Sequence, residues 1–121
     1  MLKCVCVGAG GCIGAVLRYL LSQLPLGSGA AFPWKTLLIN ILGAFAIGLI
    51  AALSLKGHEL HPNLVLFLKV GICGGFTTFS TFALESFDLF GKSAYGTALL
   101  YIVLSVLLSV LAVAAAELCV R

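Results

Sequence analysis

Four long apolar runs, separated by short polar stretches, make up most of the chain. They cover about residues 2–24, 36–55, 64–90 and 97–118. A helix needs about 20 apolar residues to cross the hydrocarbon core of a bilayer, and each run is long enough. The pattern therefore predicts an all-α integral membrane protein, with four transmembrane helices in a single membrane domain that covers residues 1–121.

The third run contains residues that disfavour a helix at the depth where a span should be continuous. Gly74 and Gly75 are followed by β-branched threonines, which lowers helix propensity over several positions. A broken helix in hydrocarbon leaves amide and carbonyl groups unpaired unless protein, water or an ion satisfies them. We therefore predict a break near residues 74–80 and a site for an ion or substrate there. Alternatively, the glycines only allow neighbouring helices to pack closely. The hydroxyls of residues such as Thr78, Ser80 and Thr81 would then bond to the preceding turn of their own helix.

Aromatic and amide side chains near this break are candidates for the wall of an anion path. Phe79 and Phe82 are three residues apart, so their rings share a face where the helix resumes. An aromatic ring has a positive edge, which attracts an anion that has lost its hydration shell. Alternatively, the two rings only pack in the core. Asn40 lies within the second run and must find partners in a membrane. It either joins two helices or donates to a permeating anion.

The fourth run carries hydroxyl groups at a regular spacing in an otherwise aliphatic helix. Every fourth position bears one, namely Thr97, Tyr101, Ser105 and Ser109. This spacing predicts that the hydroxyls follow one face of the helix. They form either a polar wall for a small ion or a set of interhelical hydrogen bonds.

The first run combines small residues with a cation. Gly10 and Gly14 are four residues apart and predict a face that a neighbouring helix can approach closely. Arg18 continues this face one turn later. It either reaches the lipid headgroups or forms a cationic collar at the mouth of an anion path.

Composition narrows the classes of function. The chain is 62% hydrophobic and 9% charged, and its net charge of +3 is scattered, so we expect no nucleic-acid partner. The five cysteines have no CxxC spacing and are interpreted as apolar residues. His58 and His61 lie in a polar loop and are interpreted as solvated. We do not expect the chain to be an enzyme, because the spans carry no nucleophile together with a base and an orienting group.

Positive charges are balanced between the two sides of the predicted bundle. One side has Lys3, Lys56 and Arg121, and the other has Arg18, Lys35 and Lys92. The positive-inside rule then gives no preferred orientation, as expected of a protein that inserts both ways. Four short helices are also too few to enclose a pathway for an ion by themselves. We therefore predict an antiparallel, dual-topology homodimer in which the broken helices meet at the midplane.

Three motifs together resemble the CrcB/Fluc family of fluoride channels. They are GG at 10–11 with GAVLRY at 14–19, TLLINILG at 36–43, and GGFTTFSTF at 74–82, of which the last is the most specific. The resemblance implies a passive fluoride channel of the bacterial inner membrane that relieves fluoride toxicity. It implies pore-lining rings at Phe79 and Phe82 and a pore amide at Asn40. It also implies a polar track formed by Tyr101, Ser105 and Ser109.

The resemblance further implies a sodium ion and a vestibule. A structural Na⁺ at the centre of the dimer would be held by the backbone carbonyls of Gly74 and Thr77. Arg18 would lie by the vestibule. Lys35 stands where the family often has a small residue, and this departure changes the local charge of the vestibule.

Two other interpretations fit part of the pattern. A small multidrug/proton antiporter has the same length, four spans and balanced charges, but it needs a carboxylate within the membrane. Glu85 is the only candidate, and it lies toward the end of the third run. A non-transporting assembly subunit needs only the small-residue faces, and it leaves the hydroxyls and the phenylalanines around the break unexplained.

Overall fold

The computed structural model describes residues 1–55 and 60–120, and within these residues every regular element is a helix. Its four spans are long and apolar enough to cross a membrane, which confirms the predicted all-helical, four-span architecture. Three of them are the single helices α1 (Leu2–Ser22), α2 (Trp34–Leu55) and α6 (Tyr95–Val120). The predictions for Lys56, His58 and Arg121 concern residues outside the described part.

The third span covers Pro62–Gly91 and is built from several pieces. They are α3 (Pro62–Val65), a π-helical segment (Leu66–Cys73), α4 (Gly74–Phe76) and α5 (Phe79–Gly91). Sequence reasoning did not predict the π-helical segment, because its run of apolar residues has no periodicity that separates a π-helix from an α-helix.

The interruption of the third span is narrower than the predicted range of 74–80. Only Thr77 and Thr78 are extended, with ψ values of 160° and 118°. Gly74 keeps helical dihedrals, with φ −64° and ψ −39°. The threonines leave the helix because their β-branched side chains favour extended backbone and because partners outside the helix bond to Thr78.

Glycines bring α1 against the third span with backbone touching backbone. A Cβ on Gly10 would collide with the Phe67 carbonyl oxygen and lie 2.9 Å from the Gly71 Cα. A Cβ on Gly14 would collide with the Ile72 carbonyl oxygen. Both glycines are buried, so the small-residue face predicted on α1 is the surface on which the third span packs.

Helices α2 and α6 form the second closely packed pair. A Cβ on Gly48 would lie 3.0 Å from the Cα of Val113, so these backbones also approach closely. Four buried residues form a core between α2, α5 and α6, namely Leu37, Leu89, Ala98 and Tyr101. Phe32 packs against this core from the α1–α2 loop, and Phe82 packs against it from the first turn of α5.

We predict that Gly14→Ala lowers the free energy of unfolding by about 1–3 kcal/mol, because the added methyl group forces the third span away from α1. Thermal melting in detergent measures this loss. Gly8→Ala is the matched control, since a Cβ at Gly8 meets nothing within 4 Å. Equal melting temperatures for the two variants would show that the close packing of α1 against the third span does not stabilise the fold.

Candidate functional site

The side chain of Asn40 holds the break in place. Its Nδ2 donates to the carbonyl oxygen of Thr78 at 3.0 Å, and the Thr78 amide donates to its Oδ1 at 2.9 Å. An NH₂ group has two hydrogens, and Thr78 takes one of them. Asn40 therefore joins α2 to the third span, and it keeps a second donor at the cavity that it borders.

The hydroxyls at the break bond mainly to one another and to nearby backbone. Thr77 Oγ1 donates to the carbonyl oxygen of Cys73 at 2.9 Å. Thr78 Oγ1 donates to Thr81 Oγ1 at 2.9 Å and accepts from the Thr81 amide at 3.2 Å, which caps the start of α5. Ser80 Oγ lies 3.4 Å from Thr78 Oγ1 and is exposed. The hydroxyls of Thr78 and Thr81 thus stabilise the resumed helix.

These bonds divert two amides that a continuous helix would use. The Thr78 amide would bond to the carbonyl of Gly74, but it donates to Asn40 instead. The Thr81 amide would bond to the carbonyl of Thr77, but it donates to the Thr78 hydroxyl. Gly74 is exposed, and a Cβ added there would meet nothing within 4 Å. The carbonyls of Gly74 and Thr77 are therefore left without their helical donors, on a face of the chain that is open at Gly74.

A cavity of about 390 Å³ lies beside the break. The polar and aromatic residues that line it include Asn40, Phe79, Phe82, Ser105 and Ser109. Ser105 is 7% exposed, and its Oγ is the one buried side-chain polar atom without a hydrogen-bond partner among the described residues. A buried polar group is normally paired, so this hydroxyl is free to bond to a polar partner that enters the cavity.

The two phenylalanines stand at the wall of this cavity. Their ring centroids are 5.5 Å apart and their planes are inclined at 49°. Phe82 packs against the core, whereas Phe79 is 79% exposed in the single chain. The ring of Phe79 therefore has most of its surface available to lipid or to another chain.

Tyr101, unlike Ser105 and Ser109, is not among the residues that line this cavity. Its side chain is 0% exposed, and its hydroxyl donates to Glu85 Oε2 at 2.7 Å. Thr36 Oγ1 donates to Glu85 Oε1 at 2.8 Å. Glu85 thereby ties α2, α5 and α6 together. Sequence reasoning missed this cluster, since Thr36 and Glu85 are far apart in the chain and no spacing rule connects them.

Arg18 lines a second cavity, of about 280 Å³, near the C-terminal end of α1 and the N-terminal end of α2. Thr36, Thr78 and Thr81 also line it, and because Thr78 lines the first cavity as well, both cavities reach the break. Lys35 Nζ donates to the carbonyl oxygen of Ser22 at 2.8 Å. The ammonium of Lys35 thus caps the C-terminal end of α1, where a positive charge is favourable.

Comparison with known proteins places these residues in a family context. The family model described as CrcB-like protein, Camphor Resistance (CrcB), matches residues 5–116, which include both cavities. The chain is 51% identical over 96 residues to the fluoride-specific ion channel FluC of Thermus thermophilus, covering 78% of this chain and 76% of that one. It is 46% identical to the protein of the same name from Rhodospirillum centenum, covering 86% of this chain and 83% of that one. These relatives are named as ion channels rather than as enzymes.

We predict that Asn40→Asp destabilises the break, because the carboxylate still accepts from the Thr78 amide but faces the Thr78 carbonyl without a donor. The expected cost is about 1–3 kcal/mol. A lower melting temperature and faster hydrogen exchange of the peptide around Thr78 would report it. Ser54→Ala is a control on the same helix, since Ser54 Oγ donates only within its own helix, to the carbonyl oxygen of Ile50. Native-like exchange in Asn40→Asp would rule out the bracing role.

Proposed function

This chain belongs to the CrcB family, and from that premise we propose that it is a fluoride-selective, passive channel through which fluoride leaves the cell and its toxicity is relieved. It is a multi-pass bacterial membrane protein, and we assign it to the inner membrane. The observation that carries the proposal is the buried, unpartnered hydroxyl of Ser105 in a cavity beside a broken span.

The lining of this cavity suits a small anion that must shed tightly bound water. A selective pore has to replace the hydration shell with donors and positive ring edges. Ser105 and Ser109 supply hydroxyl donors, and Asn40 supplies the second hydrogen of its amide. The edges of Phe79 and Phe82 supply positive surface. No permanent charge is needed within this set, which suits passage better than tight binding.

An antiparallel homodimer would complete this pathway. The ring of Phe79 is 79% exposed and the cavity beside it is open in a single chain. A second, inverted copy would cover Phe79 and bring the two breaks back to back, as in other membrane proteins built from inverted units. Cations at both ends of the described bundle, such as Lys3 and Lys92, are compatible with insertion in both orientations.

The break also suits a structural sodium ion. Na⁺ is a hard cation that prefers oxygen ligands, and the carbonyls of Gly74 and Thr77 lack their usual helical donors. Gly74 lies on the exposed face that an inverted copy would cover. We propose that these carbonyls, together with their counterparts in a second copy, would hold Na⁺. The ion would satisfy the broken backbone and add a fixed positive charge near the anion path.

The second cavity would serve as a vestibule. Arg18 would attract anions to it, and its threonine-lined wall leads to the break. Tyr101 is proposed to act on the pathway from behind Phe82, because its ring contacts Phe82 while its hydroxyl is bonded to Glu85.

We predict that liposomes containing the native protein lose fluoride rapidly and retain chloride. Ser105→Ala and Phe79→Ile should slow fluoride loss about tenfold to a hundredfold, in line with the loss of one contact to a charged group. Ion-selective electrodes measure both anions. Phe90→Ile is the control, because Phe90 pairs with Tyr95 and does not line the cavity.

The same preparation distinguishes the antiporter, for which Glu85 is the candidate carboxylate. No fluoride loss from well-inserted protein, together with proton-driven uptake of a hydrophobic cation that Glu85→Gln abolishes, would overturn the channel and support the antiporter.

We further predict that replacing Na⁺ by N-methylglucamine throughout purification lowers both the melting temperature and the fluoride efflux rate, because this cation is too large for a carbonyl site. Restoring Na⁺ should restore both. Potassium provides a second comparison, and full activity in N-methylglucamine would exclude a required sodium ion.

A further inference from the structure

Five aromatic rings form a continuous series from the break to the loop between α1 and α2. We call this series the aromatic chain, and its members in spatial order are Phe79, Phe82, Tyr101, Phe32 and Trp34. Successive centroids are 5.5, 5.3, 5.5 and 4.5 Å apart. All four contacts lie in the range in which aromatic pairs attract each other.

Tyr101 is the central link and is fixed from three directions. Its hydroxyl donates to Glu85, its ring is inclined at 56° to that of Phe82, and Phe32 meets it almost perpendicularly, at 81°. The side chain is fully buried. The Tyr101 ring therefore cannot shift toward the loop unless Phe32 yields, and Phe82 packs against the surface that Tyr101 presents.

Phe32 is itself held by contacts with Trp34, at the junction of the α1–α2 loop and α2. The Trp34 amide donates to the carbonyl oxygen of Phe32 at 2.9 Å, and the rings of these residues are in contact. Gly27 has φ +65°, and a Cβ there would lie 2.7 Å from the indole Cδ1 of Trp34. The loop thus folds over Trp34, and Trp34 packs on Phe32.

We propose that Phe32 is a positioning residue for conduction, acting through Tyr101 to fix the ring of Phe82 at the wall of the cavity. This inference rests on the proposed channel function. Phe82 has no polar group to anchor it, so its orientation depends on the rings and core side chains around it. A pore that uses ring edges is sensitive to that orientation, because the face of a ring carries the opposite partial charge. The loop is accordingly part of the conducting structure rather than only a connection between spans.

The first test compares fluoride efflux from liposomes for the native chain, Phe32→Leu and Phe90→Leu. Phe32→Leu keeps an apolar side chain but removes the ring, and we expect about tenfold slower efflux at an unchanged insertion level. Phe90→Leu removes a ring from the Phe90–Tyr95 pair, which is outside the aromatic chain, and should conduct at the native rate. Phe32→Met, also without a ring, replaces Phe32→Leu if that variant does not insert, and Phe32→Tyr should conduct nearly normally.

A double-mutant comparison separates positioning from general destabilisation. In a Phe82→Leu background there is no ring to orient, so adding Phe32→Leu should cause no further loss of efflux. If the two substitutions lower the rate by independent, multiplicative factors, the positioning role is overturned.

The failure of this inference differs from the failure of the proposed function. A native chain that releases fluoride while Phe32→Leu and Phe32→Met release it equally fast would overturn the positioning role alone. A native chain that releases no fluoride would overturn the channel, and the role of Phe32 in conduction with it.

Discussion

The two hydrogen bonds between Asn40 and Thr78 are the constraint on which the candidate site depends. An extended stretch within a membrane span exposes backbone groups that cost several kcal/mol each if they stay unpaired. The side-chain amide of Asn40 pairs with both the backbone N–H and the carbonyl of Thr78, so the extended stretch is stable and does not become helical. The free carbonyl of Gly74 follows from that arrangement, because the Thr78 amide that would bond to it in a helix bonds to Asn40 instead.

Other polar side chains within the described spans show how unusual Ser105 is. Ser54 and Ser86 donate to carbonyls one turn earlier in their own helices, at 2.7 Å. Thr36 and Tyr101 share the carboxylate of Glu85. Ser105 has the same chemistry but no partner, although it is almost fully buried. The contrast leaves Ser105 as the buried side chain of the described spans whose hydroxyl is available to a partner from outside the chain.

The site lies between two closely packed helix pairs. Glycines fix α1 against the third span and α2 against α6, and at both seams backbone atoms face a missing Cβ. Such contacts leave little room for sliding, since each partner is held at backbone distance. The break thus lies between two closely packed helix pairs, and the aromatic chain runs from the break to the loop between α1 and α2.

Length and hydropathy alone determined the four spans, because a continuous run of about 20 apolar residues crosses a bilayer as a helix, in which the backbone bonds within its own segment. Local chemistry also indicated the broken third span and the packing face of Gly10 and Gly14.

The tertiary structure decided the rest. It limited the break to Thr77 and Thr78, since the partner that holds the break open comes from another helix. It gave the hydroxyl of Tyr101 a partner in Glu85, whereas Ser105 and Ser109, one and two turns further along the same helix, border the cavity. Contacts between residues distant in the chain, such as Thr36 with Glu85 and Phe32 with Tyr101, leave no periodic signal, and only the packing of the helices brings them together.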